Sequence, residues 1–156
     1  EISHFANWDE LSAALDQALQ KEQNEERHEA GVVAQGLAKA ATLLAKRYQW
    51  VITNVPYLGR GLQDEVMQDF CERRYPEGKS DPATVFLERC LEFNRDGGTT
   101  SVVIPQNWLF QKYYKKFRVK LLRNQTWRIL ARLGPGAFET ISGEVVKAIL
   151  LNKVYT

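Results

Sequence analysis

The chain has 156 residues, 44% hydrophobic and 26% charged, with a formal net charge of +2. That length and balance describe one ordinary globular domain. No apolar run approaches the roughly 20 residues of a membrane-spanning helix, which excludes a helical membrane protein. No basic-then-apolar signal segment follows Glu1, and the missing initiator methionine reads as a piece of something longer.

The first 47 residues read as a helical segment. Asn7 and Glu10 have the spacing of a capping box. Leu11, Leu15 and Leu19 then recur every four residues. Gln20–Glu29 is nearly all polar and ends or exposes that helix. From Ala30 a second helix is expected, with Val33, Leu37, Ala41 and Leu44 on its apolar face.

The pattern changes at Trp50. Trp50–Thr53 is a short β-rich run that stops at Asn54-Val55-Pro56-Tyr57. Leu62, Val66 and Phe70 mark a helix, and Tyr75–Asp81 is a polar loop. Asp81-Pro82 starts another helix, with a capping acid and a proline in the first turn. That helix is expected to continue through Leu87 and Leu91 to Gly97-Gly98. Thr100–Ile104 is a second strand, Leu109 to Leu122 a basic amphipathic helix, and Trp127–Leu133 a third strand. After the Gly134-Pro135-Gly136 turn, Glu144–Asn152 is a fourth. Strands alternating with helices imply a mostly parallel sheet, and the last two strands, joined without a helix, imply one antiparallel member. The expected organisation is a helical segment over 1–47 and an α/β domain over 48–156.

Charge is uneven along this plan. Residues 1–50 carry eight acids and five bases; residues 51–156 carry sixteen bases and eleven acids. Gln111–Arg132 holds eight bases and no acid. Lys112, Lys115, Lys116 and Arg118, interleaved with aromatics, suit either a phosphate-facing surface or an ordinary solvated face. Cys71 and Cys90 are the only cysteines and sit among helical apolar positions, which reads as buried free thiols in a reducing cytoplasm. His4 and His28 lie far apart among polar residues. No metal site is expected.

Asn54-Val55-Pro56-Tyr57 follows a predicted strand directly, and in open α/β sheets sites form at the carboxyl ends of strands. An adenine amine is a poor nucleophile because its lone pair is delocalised. Two acceptors on its hydrogens would draw the nitrogen towards tetrahedral geometry and stabilise the developing positive charge. The Asn54 side-chain oxygen suits one acceptor and a main-chain carbonyl of Val55-Pro56 the other. Tyr57 suits stacking on a base that has left the duplex. The same tetrapeptide can also be a plain turn.

The tetrapeptide resembles the Asn-Pro-Pro-Tyr signature of amino-methyltransferases that act on DNA adenine. Trp50-Val51-Ile52-Thr53 before it and Leu58-Gly59 after it extend the match. So do Lys79-Ser80-Asp81, Phe86-Leu87-Glu88-Arg89, Gly97-Gly98 and Val103-Ile104-Pro105-Gln106-Asn107-Trp108-Leu109. Gly134 through Phe138 and the Glu144–Leu151 strand resemble the family's late hairpin. The likeness covers about Tyr48 to Thr156 and is nearest the large single-chain adenine methylases of restriction–modification and phage-exclusion systems.

The resemblance implies the later half of a Rossmann-like methyltransferase sheet. It implies transfer of methyl from S-adenosylmethionine to a flipped adenine in double-stranded DNA. Asn54, Pro56 and Tyr57 would be catalytic; Val55, Tyr57 and Phe138 would hold the base, with Phe138 otherwise a core residue. Two departures stand out. Val55 occupies a position where the family usually has proline. The family's acidic-aromatic-glycine donor loop, upstream of the motif, has no counterpart in residues 1–47, and its separate sequence-reading domain is also missing. The longer parent would therefore bind S-adenosylmethionine and this piece alone would not. A first strand left at an unnatural edge would be covered by the N-terminal helices or paired in a homodimer. The alternatives are a non-catalytic DNA- or protein-binding module on a degenerate methyltransferase scaffold, and an unrelated α/β domain.

Overall fold

The computed structural model describes the backbone of residues 8–19, 25–134 and 148–155. The chain divides into two compact units, Glu1–Lys46 and Arg47–Thr156.

The first unit is a pair of helices, α1 (Trp8–Leu19) and α2 (Glu25–Ala45), packed on each other. Helix α2 starts five residues before the expected Ala30, because the polar Glu25–Glu29 stretch consists of residues a helix tolerates. Its contact face also differs from the expected stripe. Val33, Leu37 and Leu44 are exposed, whereas Ala38 is buried and Ala34 and Ala41 are half-buried. Small side chains let the two helices approach closely: a Cβ on Gly31 would fall 2.2 Å from the Leu19 Cδ2 atom. Gln35 donates from its amide to Asp16 across the pair.

The second unit is built on a four-stranded sheet of β1 (Tyr48–Asn54), β2 (Asn94–Pro105), β3 (Gln125–Gly134) and β4 (Ala148–Tyr155), in the order β1-β2-β4-β3. β1 and β2 are parallel, and β4 is antiparallel to both β2 and β3. Three strands therefore run one way, and the single reversed strand is one of the last two, as the helix-free connection requires.

Between β1 and β2 the chain forms α3 (Glu65–Arg74) and α4 (Pro82–Glu92). The α4 start is the one legible in sequence: Asp81 accepts from the Ala83 amide at 2.8 Å and Pro82 occupies the first turn. Its end is not. The helix stops at Glu92, and Gly97-Gly98 lies instead in a bulge of β2, where the register moves from Tyr48↔Asn94 to Trp50↔Thr99. Gly97 has φ +71, and a Cβ on Gly98 would meet the Tyr48 carbonyl at 2.9 Å, so both positions demand glycine. The expected α3 stripe is likewise turned outwards. Leu62, Val66 and Phe70 are exposed, and the helix is anchored instead by Cys71, which clusters with Tyr75 and Val85.

After β2 the chain does not form the single helix expected over Leu109 to Leu122. Two 3₁₀ turns, Gln106–Leu109 and Lys112–Tyr114, precede α5 (Lys115–Asn124). The core lies between one face of the sheet and helices α4 and α5: Val102 and Ile104 meet Leu87, Cys90, Trp108, Phe117 and Leu121. The cysteines are buried and free, as their helical apolar setting predicts, and burial pushes the Cys90 thiol up to about 11. Trp108 packs in this core and Trp127 against it, but Trp50 does not pack. It is 70% exposed and Ile52 71%, because both project from the other face of an edge strand.

Candidate active site

Asn54 is the last residue of β1, at its carboxyl end, with an exposed side chain. The loop that follows is pinned on both sides. On one, the Val55 amide donates to the Val103 carbonyl at 3.4 Å and the Val55 side chain is 4% exposed in the core. On the other, the Leu58 amide reaches Asp81 Oδ1 at 3.4 Å, and Gln63 donates to the Leu58 carbonyl at 3.1 Å. Asp81 thus caps α4 and holds the motif loop with the same oxygen. Valine here supplies an N–H to the ladder and an aliphatic side chain to the core; a proline would have no N–H to give. The main-chain carbonyl remains in either case.

Between these anchors Pro56 is exposed and Tyr57 half-buried, its ring against the core. The Tyr57 hydroxyl donates to Asn54 Oδ1 at 3.2 Å. Burial, and then the charge of Asp81, raise the pKa of that hydroxyl above its ordinary value, so it stays a donor at neutral pH. In this arrangement the Asn54 amide has its oxygen towards the hydroxyl.

Beyond the motif a cleft of about 380 Å³ opens at the carboxyl end of β2. Gly59, Arg60, Asp81, Asn107, Gln111 and Tyr113 are among its lining residues. Asn54, Pro56 and Tyr57 stand on the loop leading into it and are not part of that lining. Tyr113 is 61% exposed and Tyr114 is 3% exposed, their rings 4.6 Å apart; both line the cleft, and Tyr114 also belongs to the core.

The basic set divides. Lys112, Lys115 and Lys116 are exposed and carry no ion pair among the described residues. Arg118 instead braces the backbone. Its Nη1 donates to the Trp108 carbonyl at 2.6 Å and the Gln111 carbonyl at 2.8 Å, where the expected helix breaks. Lys120 is paired with Glu88, a 5% exposed carboxylate on α4 whose pKa burial pushes up even with that partner. Glu88 and Lys120 are 32 positions apart, and neither that pair nor the double duty of Asp81 has a local sequence signal. His28 is exposed. Phe138 and His4 lie outside the described residues. Among the described residues no cluster of His, Cys, Asp or Glu could hold a metal, and no helix is long and apolar enough to cross a membrane.

The resemblance implies a glycine loop that approaches the methyl donor at a strand end. The described residues do not fit it. What precedes β1 is α2, whose Gly31 is filled by Leu19 and whose Gly36 lies mid-helix.

Residues 2–137 match the family described as Eco57I restriction-modification methylase. The chain belongs to that family. Among curated relatives, the adenine-specific methyltransferase BrxX of Escherichia coli O9:H4 (strain HS) is 36% identical over 107 residues, 69% of this chain and 9% of that protein. The adenine-specific methyltransferase PglX of Lacticaseibacillus casei (strain Zhang) is 33% identical over 113 residues, 71% of this chain and again 9% of that protein. The chain thus spans about a tenth of the length of the relatives it matches. A Listeria monocytogenes structure described as a class I S-adenosylmethionine-dependent methyltransferase superposes with a TM-score of 0.53 at 18% identity, covering 71% of this chain and 32% of that one. At that identity the likeness speaks for the fold: this Eco57I-family chain is a partial Rossmann-like α/β unit.

Proposed function

We propose that this chain is the base-gripping part of a DNA adenine-N6 methyltransferase serving bacterial restriction–modification or phage defence in the cytoplasm. The observation that carries the reading is Asn54 at the carboxyl end of β1, its amide oxygen turned to a donor and its loop pinned on both sides. Adenine flipped from double-stranded DNA brings its exocyclic amine to Asn54 Oδ1. The main-chain carbonyl of Val55 or Pro56 takes the second hydrogen. Two fixed acceptors favour the nitrogen as it gains positive charge, and their rigidity spares reorganisation during the reaction. No strong base is needed, because the proton becomes acidic only after transfer. Tyr57 supplies the stacking surface and Phe138 a second wall. Lys112, Lys115 and Lys116 hold phosphates. The donor site and the DNA-reading part belong to the rest of a longer protein.

Val55, where the family usually has proline, favours a second reading, a non-catalytic DNA- or protein-binding module. One experiment separates the two. The full-length protein is incubated with S-adenosylmethionine and duplex DNA, and the product nucleosides are analysed by mass spectrometry. N6-methyladenine that disappears in Asn54→Ala supports the proposal; DNA binding with no methylated base supports the module.

A further inference from the structure

The hydrogen bond from the Tyr57 hydroxyl to Asn54 Oδ1 bears on how a base is admitted. Both partners belong to the proposed base site, and the inference rests on that reading. The oxygen that must accept from the adenine amine already accepts from a hydroxyl of this chain. The backbone that carries Tyr57 is anchored, since Val55 is buried and bonded to Val103 on one side and Leu58 is bonded to Asp81 on the other. The Tyr57 ring rests against the core. Only the Asn54 and Tyr57 side chains are free to readjust.

We propose that the Tyr57 hydroxyl competes with the target amine for Asn54 Oδ1, so that Tyr57 sets how strongly the site selects a base by its amine. Two donors on one carbonyl oxygen each weaken the other's bond, whether the hydroxyl is displaced or shares the oxygen. The raised Tyr57 pKa keeps the hydroxyl protonated and hence in competition through the neutral range. The ring and the hydroxyl therefore work in opposite directions. The ring favours the extruded base by stacking, and the hydroxyl taxes the contact that recognises its amine. A phenylalanine would keep the first effect and lose the second.

The test uses the full-length protein and two duplexes, one with adenine and one with purine at the target position. Purine lacks the amine and with it one hydrogen bond to thymine; that duplex difference is the same for every variant, so the change in the ratio of dissociation constants from one variant to another reads the amine contact. Tyr57→Phe is expected to raise the preference for adenine over purine by about threefold, the size of one weak neutral hydrogen bond. Tyr57→Ala is expected to weaken both duplexes, because it removes the stacking surface, and to raise the adenine preference as Tyr57→Phe does, because it removes the hydroxyl too. A Tyr57→Phe protein with an unchanged or smaller adenine preference overturns the proposal; a smaller one would mean that the hydroxyl positions Asn54. Wild type and Asn54→Ala are measured in parallel. If wild type discriminates, Asn54→Ala does not, and Tyr57→Phe matches wild type, the competition falls and the base site stands. If the ratio is the same in wild type and Asn54→Ala, the base site falls and the competition with it.

Discussion

Replacing Arg118 with methionine separates the structural and DNA-binding roles of the basic stretch. The substitution keeps the aliphatic stem and removes a guanidinium nitrogen shared by the Trp108 and Gln111 carbonyls at 2.6 and 2.8 Å. A hydrogen bond to a charged group contributes about 1.5–3 kcal/mol. Arg118 is only half-buried, so solvent screens the pair, and about 2 kcal/mol in all is a sound expectation. For a domain of this size that lowers the melting temperature by roughly 5–10 °C. Thermal and urea unfolding of the chain read this directly. Lys112→Met, Lys115→Met and Lys116→Met touch only exposed ammonium groups and should each stay within about 0.5 kcal/mol of wild type. In the full-length protein the three together should flatten the salt dependence of DNA affinity by about 3 in log-log slope, at about 0.9 per phosphate contact. The division of labour is refuted if Arg118→Met leaves stability within about 0.5 kcal/mol of wild type and lowers the salt slope by about one.

Three further outcomes are expected. Calorimetry with S-adenosylmethionine and the 156-residue chain should show no binding, and micromolar binding would reveal a donor loop in the first unit. β1 ends the described sheet, and its edge is expected to be either covered by the N-terminal helices or paired in a homodimer; concentration-dependent light scattering that is lost in Ile52→Lys would mark the homodimer, and a monomer at all concentrations would remove that edge as an interface between copies. Glu88 should make stability pH-dependent in an unusual sense. Its folded pKa is raised, so the folded state binds the proton more tightly, and this contribution is present below the unfolded value near about 4.3 and lost as pH rises through the folded one. Melting temperature across about pH 4 to 7 should therefore fall more steeply, or rise less, in wild type than in Glu88→Gln, and parallel profiles would contradict this.

Elements with strong local punctuation were legible in the sequence, and elements decided by packing were not. Asp81-Pro82 fixed the α4 start, and the β-branched run before Asn54 fixed β1, because a cap and a strand pattern act over a few residues. Gly97-Gly98 signalled a break correctly but of the wrong kind, since a glycine pair serves a helix end and a β-bulge equally well. The apolar stripes of α2 and α3 pointed away from the contacts they form. In α2 close approach at Gly31 and Ala38 prevailed over larger side chains, and in α3 a single buried cysteine was the anchor. Of the proposed site, the order of Asn54, Pro56 and Tyr57 on a strand end could be read in one dimension. The Asn54–Tyr57 contact, the grip of Asp81 on Leu58 and the Arg118 bridge depend on how the backbone turns, which no residue pattern states.

On the proposed function, Asn54 acts on the amine during transfer more than on the DNA as a whole. Single-turnover methylation by the full-length protein, with DNA affinity measured on the same preparation, tests it most directly. Asn54→Ala should slow the transfer step by about 10²-fold or more, the usual effect of removing one preorganised polar contact to a developing charge. DNA affinity should change less than about threefold, as expected when one neutral hydrogen bond is lost. An Asn54→Ala protein that methylates at the wild-type single-turnover rate would contradict the account.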